Sequence, residues 1–425
     1  MRQRLLTILI FLVVSVSSFA QKNSYYKRVF VDAEYFLLYE EYRDALPLYL
    51  ELHKAYPTNN NYIYRIALCY LNISNQKDKS LKYFDIAIKN TTKSYQEGFF
   101  TEKLAPIEAF LYYGKALRIH HQFDKADSLL NFYKHQLEAD NANTKEVDKE
   151  LESIKLAREL IDNPKNHIIE PVGRNVNTRN TEIYPVSDST GRTLVYTSEQ
   201  KFYNAILISH RDSNYWKNPT NLNTQLLADG TIRTVGMSPG GNVLILARND
   251  NDIYNLYFSH YDKDKKQFAP ITKFPKEINS KSGENYGSLT PNADTLFFSS
   301  NRPGGYGGYD LYISIKNAEG GWSMPVNLGS KINTPADEIA PFVTKNGRKL
   351  FFSSNGHRTM GGFDLFYANK GNDGWQEPIN FGYPLNSCDD DTYLFPIDNG
   401  DEGFFHREME KSQGSSDLYH VIIEY

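Results

Sequence analysis

Cysteine is nearly absent from this chain: Cys69 and Cys388 are the only two in 425 residues. That excludes a small disulfide-built scaffold. Neither has cysteine or histidine companions at the spacing of a zinc site. They read as two separate thiols, with a single pairing as the other reading for an exported chain. Glycine is missing from one half only. Between residues 22 and 163 it occurs at Gly98 and Gly114, although the chain has 27. Long apolar runs are missing beyond residue 20, so no later membrane helix is expected. A basic surplus is missing too. Lys and Arg number 47 against 51 Asp and Glu, a formal charge of −4, which argues against nonspecific nucleic-acid binding.

Motifs that carry chemistry are also scarce. There is no Gly-x-Ser-x-Gly elbow, no Gly-x4-Gly-Lys-Ser/Thr phosphate loop and no His-Glu-x-x-His. His120-His121 are adjacent on an expected helix and diverge there. Asp389-Asp390-Asp391 reads as a solvated loop rather than a cation site. No catalytic residue, metal or cofactor is expected. The loop Gly304 to Asp310 (GGYGGYD) is glycine-rich, but it joins two expected strands instead of opening a helix, so a phosphate reading fails on context. Its glycines are expected to supply positive φ in a long hairpin, and Asp310, Asp364 and Asp417 to cap such turns.

What is present begins with an export signal at residues 1–20. Arg2 and Arg4 form a basic start, Leu5 to Val16 an apolar core, and Ser18-Phe19-Ala20 a small-x-small cleavage site. Removing the two arginines leaves 47 − 2 = 45 basic residues against 51 acidic, a net of −6. No cysteine follows the cleavage site, so no lipid anchor is expected. The expected location is the periplasm, associated with the outer membrane.

Residues 22–163 carry apolar residues at helical spacing. Ala33, Phe36, Tyr42, Ala45, Tyr49, Leu52 and Pro57 form one helix-pair pattern, Ala67, Tyr70, Ser80, Phe84 and Ala87 a second, and Gly114, Leu117, Phe123, Ala126, Leu130 and Tyr133 a third. An insertion is expected near Lys93 to Leu104, a capping helix at Thr144 to Ile161, and the domain boundary at Asn163-Pro164.

From residue 165 to 425 the chain repeats. Glu182, Ile232, Glu284, Glu338 and Asp391 open five copies of strand, tight turn, strand, loop, strand, about 50 residues apart. That period with about four strands per unit marks a propeller blade. An aromatic residue (Trp216, Phe268, Trp322, Trp375) follows the third strand of four copies and suits a fourth. Asparagine recurs before the starts, as Asn177, Asn279, Asn333 and Asn386. The fifth copy ends without a fourth strand, and His167 to Val172 is expected to supply it and close the ring at five blades; six is the less favoured count. Glu182, Glu284, Glu338 and Asp391 open four inner strands, and Arg248, Arg302, Arg358 and Arg407 follow four second strands. Both sets are expected on one face. They either brace their loops or form a charged docking face for a partner.

The Ser-Pro-x-Gly-like turn, the apolar-Phe-Ser-Ser strand and the Gly-Gly-x-Asp-Leu-Tyr run resemble the WD40-like repeats of TolB-type propellers. The helical patterns are similar to tetratricopeptide repeats. Together they resemble the N-terminal half of the periplasmic tetratricopeptide–propeller–OmpA-type proteins of type IX secretion. The resemblance implies a multidomain α + β chain, with a signal peptide (1–20), a tetratricopeptide solenoid (22–163) and a five-bladed propeller (165–425). It implies an exported, non-enzymatic scaffold whose partners are other periplasmic or outer-membrane proteins, peripheral to the membrane through them. The alternative is a propeller that binds a glycan or peptide in its channel.

Overall fold

The computed structural model describes residues 23–213, 215–409 and 412–425. The export signal expected at residues 1–20 lies outside them. The chain divides into two compact units, Met1–Leu151 and Glu152–Tyr425.

The first unit is helical. Helix α1 covers residues 23–38, followed by α2 (Tyr42–Ala55), α3 (Asn60–Leu71), α4 (Lys77–Ala87), α5 (Ala109–Ile119) and α6 (Phe123–Ala139). Helix α7 (Lys145–Asp162) spans the division between the units. Consecutive helices from α2 to α6 pack on one another. Small residues stand where they meet: Ala45, Ser80 and Ala126 are fully buried. A β-carbon on Gly114 of α5 would lie 2.5 Å from the Leu130 side chain of α6. Helix α2 stops at Ala55, ahead of Tyr56-Pro57, because proline lacks an N–H and restricts the residue before it. Asn59 opens α3, its side chain accepting the Tyr62 N–H at 3.2 Å. Between α4 and α5, Thr91–Thr92 pairs in parallel with Ala105–Pro106.

The second unit is a five-bladed propeller. Going outward from the axis, blade 1 comprises Thr181–Ser187, Thr193–Glu199 and Asn204–Asp212. Blade 2 comprises Ile232–Met237, Val243–Asp250 and Ile253–Asp262. Blade 3 comprises Glu284–Leu289, Thr295–Ser300 and Asp310–Ile315. Blade 4 comprises Glu338–Val343, Lys349–Ser354 and Asp364–Gly371, and blade 5 Leu394–Ile397, Glu402–Arg407 and Asp417–Ile422. Ile168–Pro171 forms the outer strand of blade 5, with Ile169 opposite Val421. The ring is thus closed by the segment that sequence reasoning assigned to it, which leaves blade 5 no open edge at that position.

The outer strands of the other blades are broken, contrary to the single fourth strand expected. In blades 1, 2 and 4, Trp216, Phe268 and Trp375 belong to two-residue pairings that continue the third strand, and in blade 3 Trp322 makes an isolated bridge to Lys316. Two or three residues on, Pro219, Pro270, Pro325 and Pro378 interrupt the run, because proline cannot donate to the ladder. A second short piece then pairs nearer the middle of the third strand, as Val326–Asn327 does on Tyr312–Ile313.

Side chains alternate across the second strands, so neighbouring phenylalanines serve opposite interfaces. Phe297 shares a core with Val343 of blade 4, and Phe298 one with Leu256 of blade 2. Phe351 likewise joins Phe395 of blade 5, and Phe352 joins Leu311 of blade 3.

Candidate functional site

The repeated carboxylates lie inside the fold. Glu182, Glu284 and Glu338 are 0% exposed and Asp391 4%. Each closes the loop that leads into its blade. Their oxygens accept the N–H of Thr178, Ser280, Thr334 and Ser387, four residues upstream, at 2.9, 2.9, 2.7 and 2.5 Å. Ser198, Ser300 and Ser354 donate hydroxyls to the first three at 3.1, 2.7 and 2.7 Å. Burial raises the pKa of Glu182 and Glu338. It takes Asp391 up to about 6 although the Arg407 guanidinium works the other way.

The arginines do not form one ring. Arg302 reaches Glu284 at 3.2 Å and the Ile278 carbonyl at 2.7 Å. Arg407 lies 3.0 Å from Asp391 and donates to the Pro384 carbonyl at 3.2 Å. Arg248 turns to Asp250 at 2.6 Å. Arg358, its side chain 57% exposed, reaches Glu159 at 3.4 Å. Of the two expected roles, the acids take the bracing of their own loops. Glu182, Glu284, Glu338 and Asp391 are enclosed by their own loops, where the loop N–H and hydroxyl groups they accept offset part of the cost of taking a carboxylate from water.

The repeated asparagines are structural as well. Asn279, Asn333 and Asn386 each exchange two hydrogen bonds with one backbone residue of the preceding blade: Leu256, Leu311 and Leu365. Asn223 takes a similar place after blade 1, accepting the Ile206 N–H at 2.8 Å and donating to the Asn204 carbonyl at 2.9 Å. Sequence reading missed it because it stands nine residues before its blade start, Ile232, against five in the other copies. The Leu222-Asn223-Thr224 run was the available signal.

Of the long-loop glycines, Gly304 takes the expected positive φ, +92°, and others act by close approach. A β-carbon on Gly307 would lie 2.2 Å from the Ala336 carbonyl, and one on Gly361 2.0 Å from that of Asp389. These loops thus clasp the entry of the next blade. Asp310, Asp364 and Asp417 satisfy the same loops, as Asp364 does with the Met360 and Gly361 N–H groups at 2.8 and 3.1 Å.

The axis is filled. Counting two residues from each copy start gives Tyr184, Thr234, Tyr286, Ala340 and Tyr393. The three tyrosine rings meet there, with centroids 5.9 Å (184–286), 5.3 Å (184–393) and 6.1 Å (286–393) apart. Phe342 packs on Tyr393 at 5.1 Å. The channel in which the alternative reading placed a glycan or peptide is thus filled by these rings. At the far end of the inner strands it keeps a cavity of about 20 Å³, lined among others by Ser187, Met237, Ser288 and Phe395, room for about one water. The in-phase tyrosines were legible in the sequence and were overlooked.

A larger space lies off the axis, between blades 2 and 3. A cleft of about 420 Å³ is lined by Phe258, His260, Lys273, Phe274, Lys316 and Trp322, among others. Its aromatic walls are continuous: Phe258 and Phe274 are 4.8 Å apart, Phe274 and Trp322 5.8 Å. Lys316 Nζ lies 5.1 Å over the Trp322 ring, and Lys273 Nζ is held 2.9 Å from Asp250. Sequence reasoning had placed Trp322 only as an outer-strand residue.

Cys69 and Cys388 are buried, and no disulfide joins them. Among the described residues no group of three or more His, Cys, Asp or Glu could hold a metal ion, and no helix is long and apolar enough to cross a membrane.

No protein-family profile matches the chain, and no curated protein matches it. Solved structures do. TolB from Acinetobacter baumannii is 12% identical over 59% of this chain and 56% of its own, with a TM-score of 0.39. The chain therefore spans little more than half of that protein. An α-L-arabinofuranosidase from Lactobacillus brevis is 10% identical over 59% of this chain and 92% of its own, TM-score 0.39. A thermostable family-43 glycoside hydrolase is 12% identical over 59% and 91%, TM-score 0.40. These likenesses concern the fold alone. Several of these similar structures are enzymes by their titles, and the expectations of a non-enzymatic scaffold and of no catalysis are withdrawn.

Proposed function

We propose that the second unit is a saccharide-binding propeller whose site is the cleft between blades 2 and 3. The observation that carries this reading is the aromatic wall of Phe258, Phe274 and Trp322 around about 420 Å³. That volume lies within the range of small-molecule sites, roughly 300–1,000 Å³. Flat aromatic faces suit the apolar C–H face of a pyranose ring, and burying them supplies most of the binding energy. His260, Lys273 and Lys316 at the rim supply donors for sugar hydroxyls. An export signal in residues 1–20 would put such a binder in the cell envelope, where saccharides are at hand. For the first unit we propose a tetratricopeptide-like solenoid, supported by the buried Ala45, Ser80 and Ala126 and by the close approach at Gly114.

The test is titration of the full chain with arabino-, xylo- and cello-oligosaccharides, followed by calorimetry and tryptophan fluorescence. At least one series is expected to bind, and Trp322→Ala to abolish that binding without unfolding the protein. Absence of binding across all three series, or binding indifferent to Trp322→Ala, would sink the proposal.

A further inference from the structure

Arg233 is the one guanidinium beside the tyrosine plug, and the fold does not account for its charge. It stands on the inner strand of blade 2 and is half-buried. Nη1 donates to the Tyr184 hydroxyl at 3.1 Å and Nη2 to the Asn285 carbonyl at 3.4 Å. The rings of Tyr254, Tyr184 and Tyr286 surround it, with centroids 4.3, 5.0 and 5.1 Å from Cζ. Its Nε is covered and has no hydrogen-bond partner. Among the described residues no carboxylate pairs with it, whereas Arg302 and Arg407 of the same propeller each reach one. A guanidinium withdrawn from water without a counter-charge is costly, and aromatic faces offset only part of that cost.

We propose that this end of the axis is a receptor for a sugar carboxylate. Of Arg233's five N–H donors, two are used within the chain and Nε–H is covered, which leaves one on each of Nη1 and Nη2, a pair that matches a carboxylate better than a hydroxyl. Tyr184 and Tyr254, both half-buried, keep aromatic surface beside it, while Tyr286 is buried; such surface suits a pyranose and favours a uronic acid over a peptide terminus. The site is separate from the cleft: Tyr184, Arg233 and Tyr254 do not line it. The choice of a saccharide rests on the function proposed above; the demand for an anion does not.

The experiment compares oligogalacturonate with its methyl ester, which removes the charge and adds a methyl group to each acid, by calorimetry on the full chain at low salt. The acid is expected to bind about tenfold or more tighter than the ester, as a hydrogen-bonded charge should. Arg233→Gln should remove that preference, Arg233→Lys should retain part of it, and Trp322→Ala should leave it intact. Equal affinity for acid and ester, or a preference that survives Arg233→Gln, overturns the inference. If both bind equally and Trp322→Ala abolishes both, the cleft reading stands and this one falls. If neither binds wild type, the receptor is refuted, and the cleft is judged by its own neutral series. Should Arg233→Gln fail to fold, Tyr254→Leu keeps the guanidinium and is expected to weaken acid and ester together while the preference for the acid survives; affinities unchanged in that variant count against the inference. Stabilisation of wild type by galacturonate and not by galactose in thermal melts supports the inference, and equal stabilisation by both counts against it.

Discussion

Asn177 and Leu418 close the propeller across 241 residues: the asparagine side chain accepts the Leu418 N–H at 2.9 Å and donates to its carbonyl at 3.0 Å. Asn279, Asn333 and Asn386 make the same exchange between consecutive blades. The seam where the chain meets itself is therefore built like any other joint. The Leu418 carbonyl also accepts the Val172 N–H at 3.0 Å, so Asn177→Ala strands mainly the Leu418 N–H. A cost of about 1–3 kcal/mol is expected in urea unfolding. A change under about 0.5 kcal/mol would mean the seam is held by the 168–171 strand alone. Deleting that strand should leave an open edge and produce aggregation, read by light scattering.

Phe298→Ala and Phe352→Ala should each cost about 3–5 kcal/mol, because both rings are buried, 0% and 2% exposed, between blades. Denaturant unfolding reads this. A loss below about 1 kcal/mol in either variant would contradict the interdigitated packing.

Gly414→Ala should be poorly tolerated. A β-carbon there would lie 1.6 Å from the Asn180 carbonyl, where blade 5 clasps the entry to blade 1. The loop would have to lift, at roughly 1–3 kcal/mol for overpacking. A melting temperature equal to wild type would show that the clasp is loose.

The four arginines should separate by burial. Arg302→Ala leaves the enclosed Glu284 without its cation, and a loss of about 3–5 kcal/mol is expected. Arg358→Ala removes an exposed contact with Glu159 and should change stability by less than about 1 kcal/mol. Similar losses for both would restore a common role for the set.

Asp364 is raised to about 7, by burial and then by the neighbouring Asp391. An acid raised on folding binds its proton more tightly in the native state, so stability is greatest below the unfolded pKa and falls as pH rises. For Asp364 the window runs from about pH 4 to 7. Melting temperature should therefore decline across that window, by about 2–4 °C for each kcal/mol lost. Asp364→Asn should flatten the slope, and an unchanged slope in that variant would acquit this residue.

The sequence by itself determined the repeat, and through it the blade count and the closing strand. Strand side chains alternate, turns need particular residues, and both leave marks one copy after another. It also carried the three in-phase tyrosines, although their meeting could not be read from spacing. Whether Glu182, Glu284, Glu338 and Asp391 face a partner or their own loops depended on how each loop folds back over four residues, and the tertiary structure turned them inward. The plugged axis, the cleft between blades 2 and 3 and the unpaired charge of Arg233 were likewise decided only there. Each is made by residues of different blades, distant in sequence, and a repeat specifies what every blade shares rather than what two blades enclose between them.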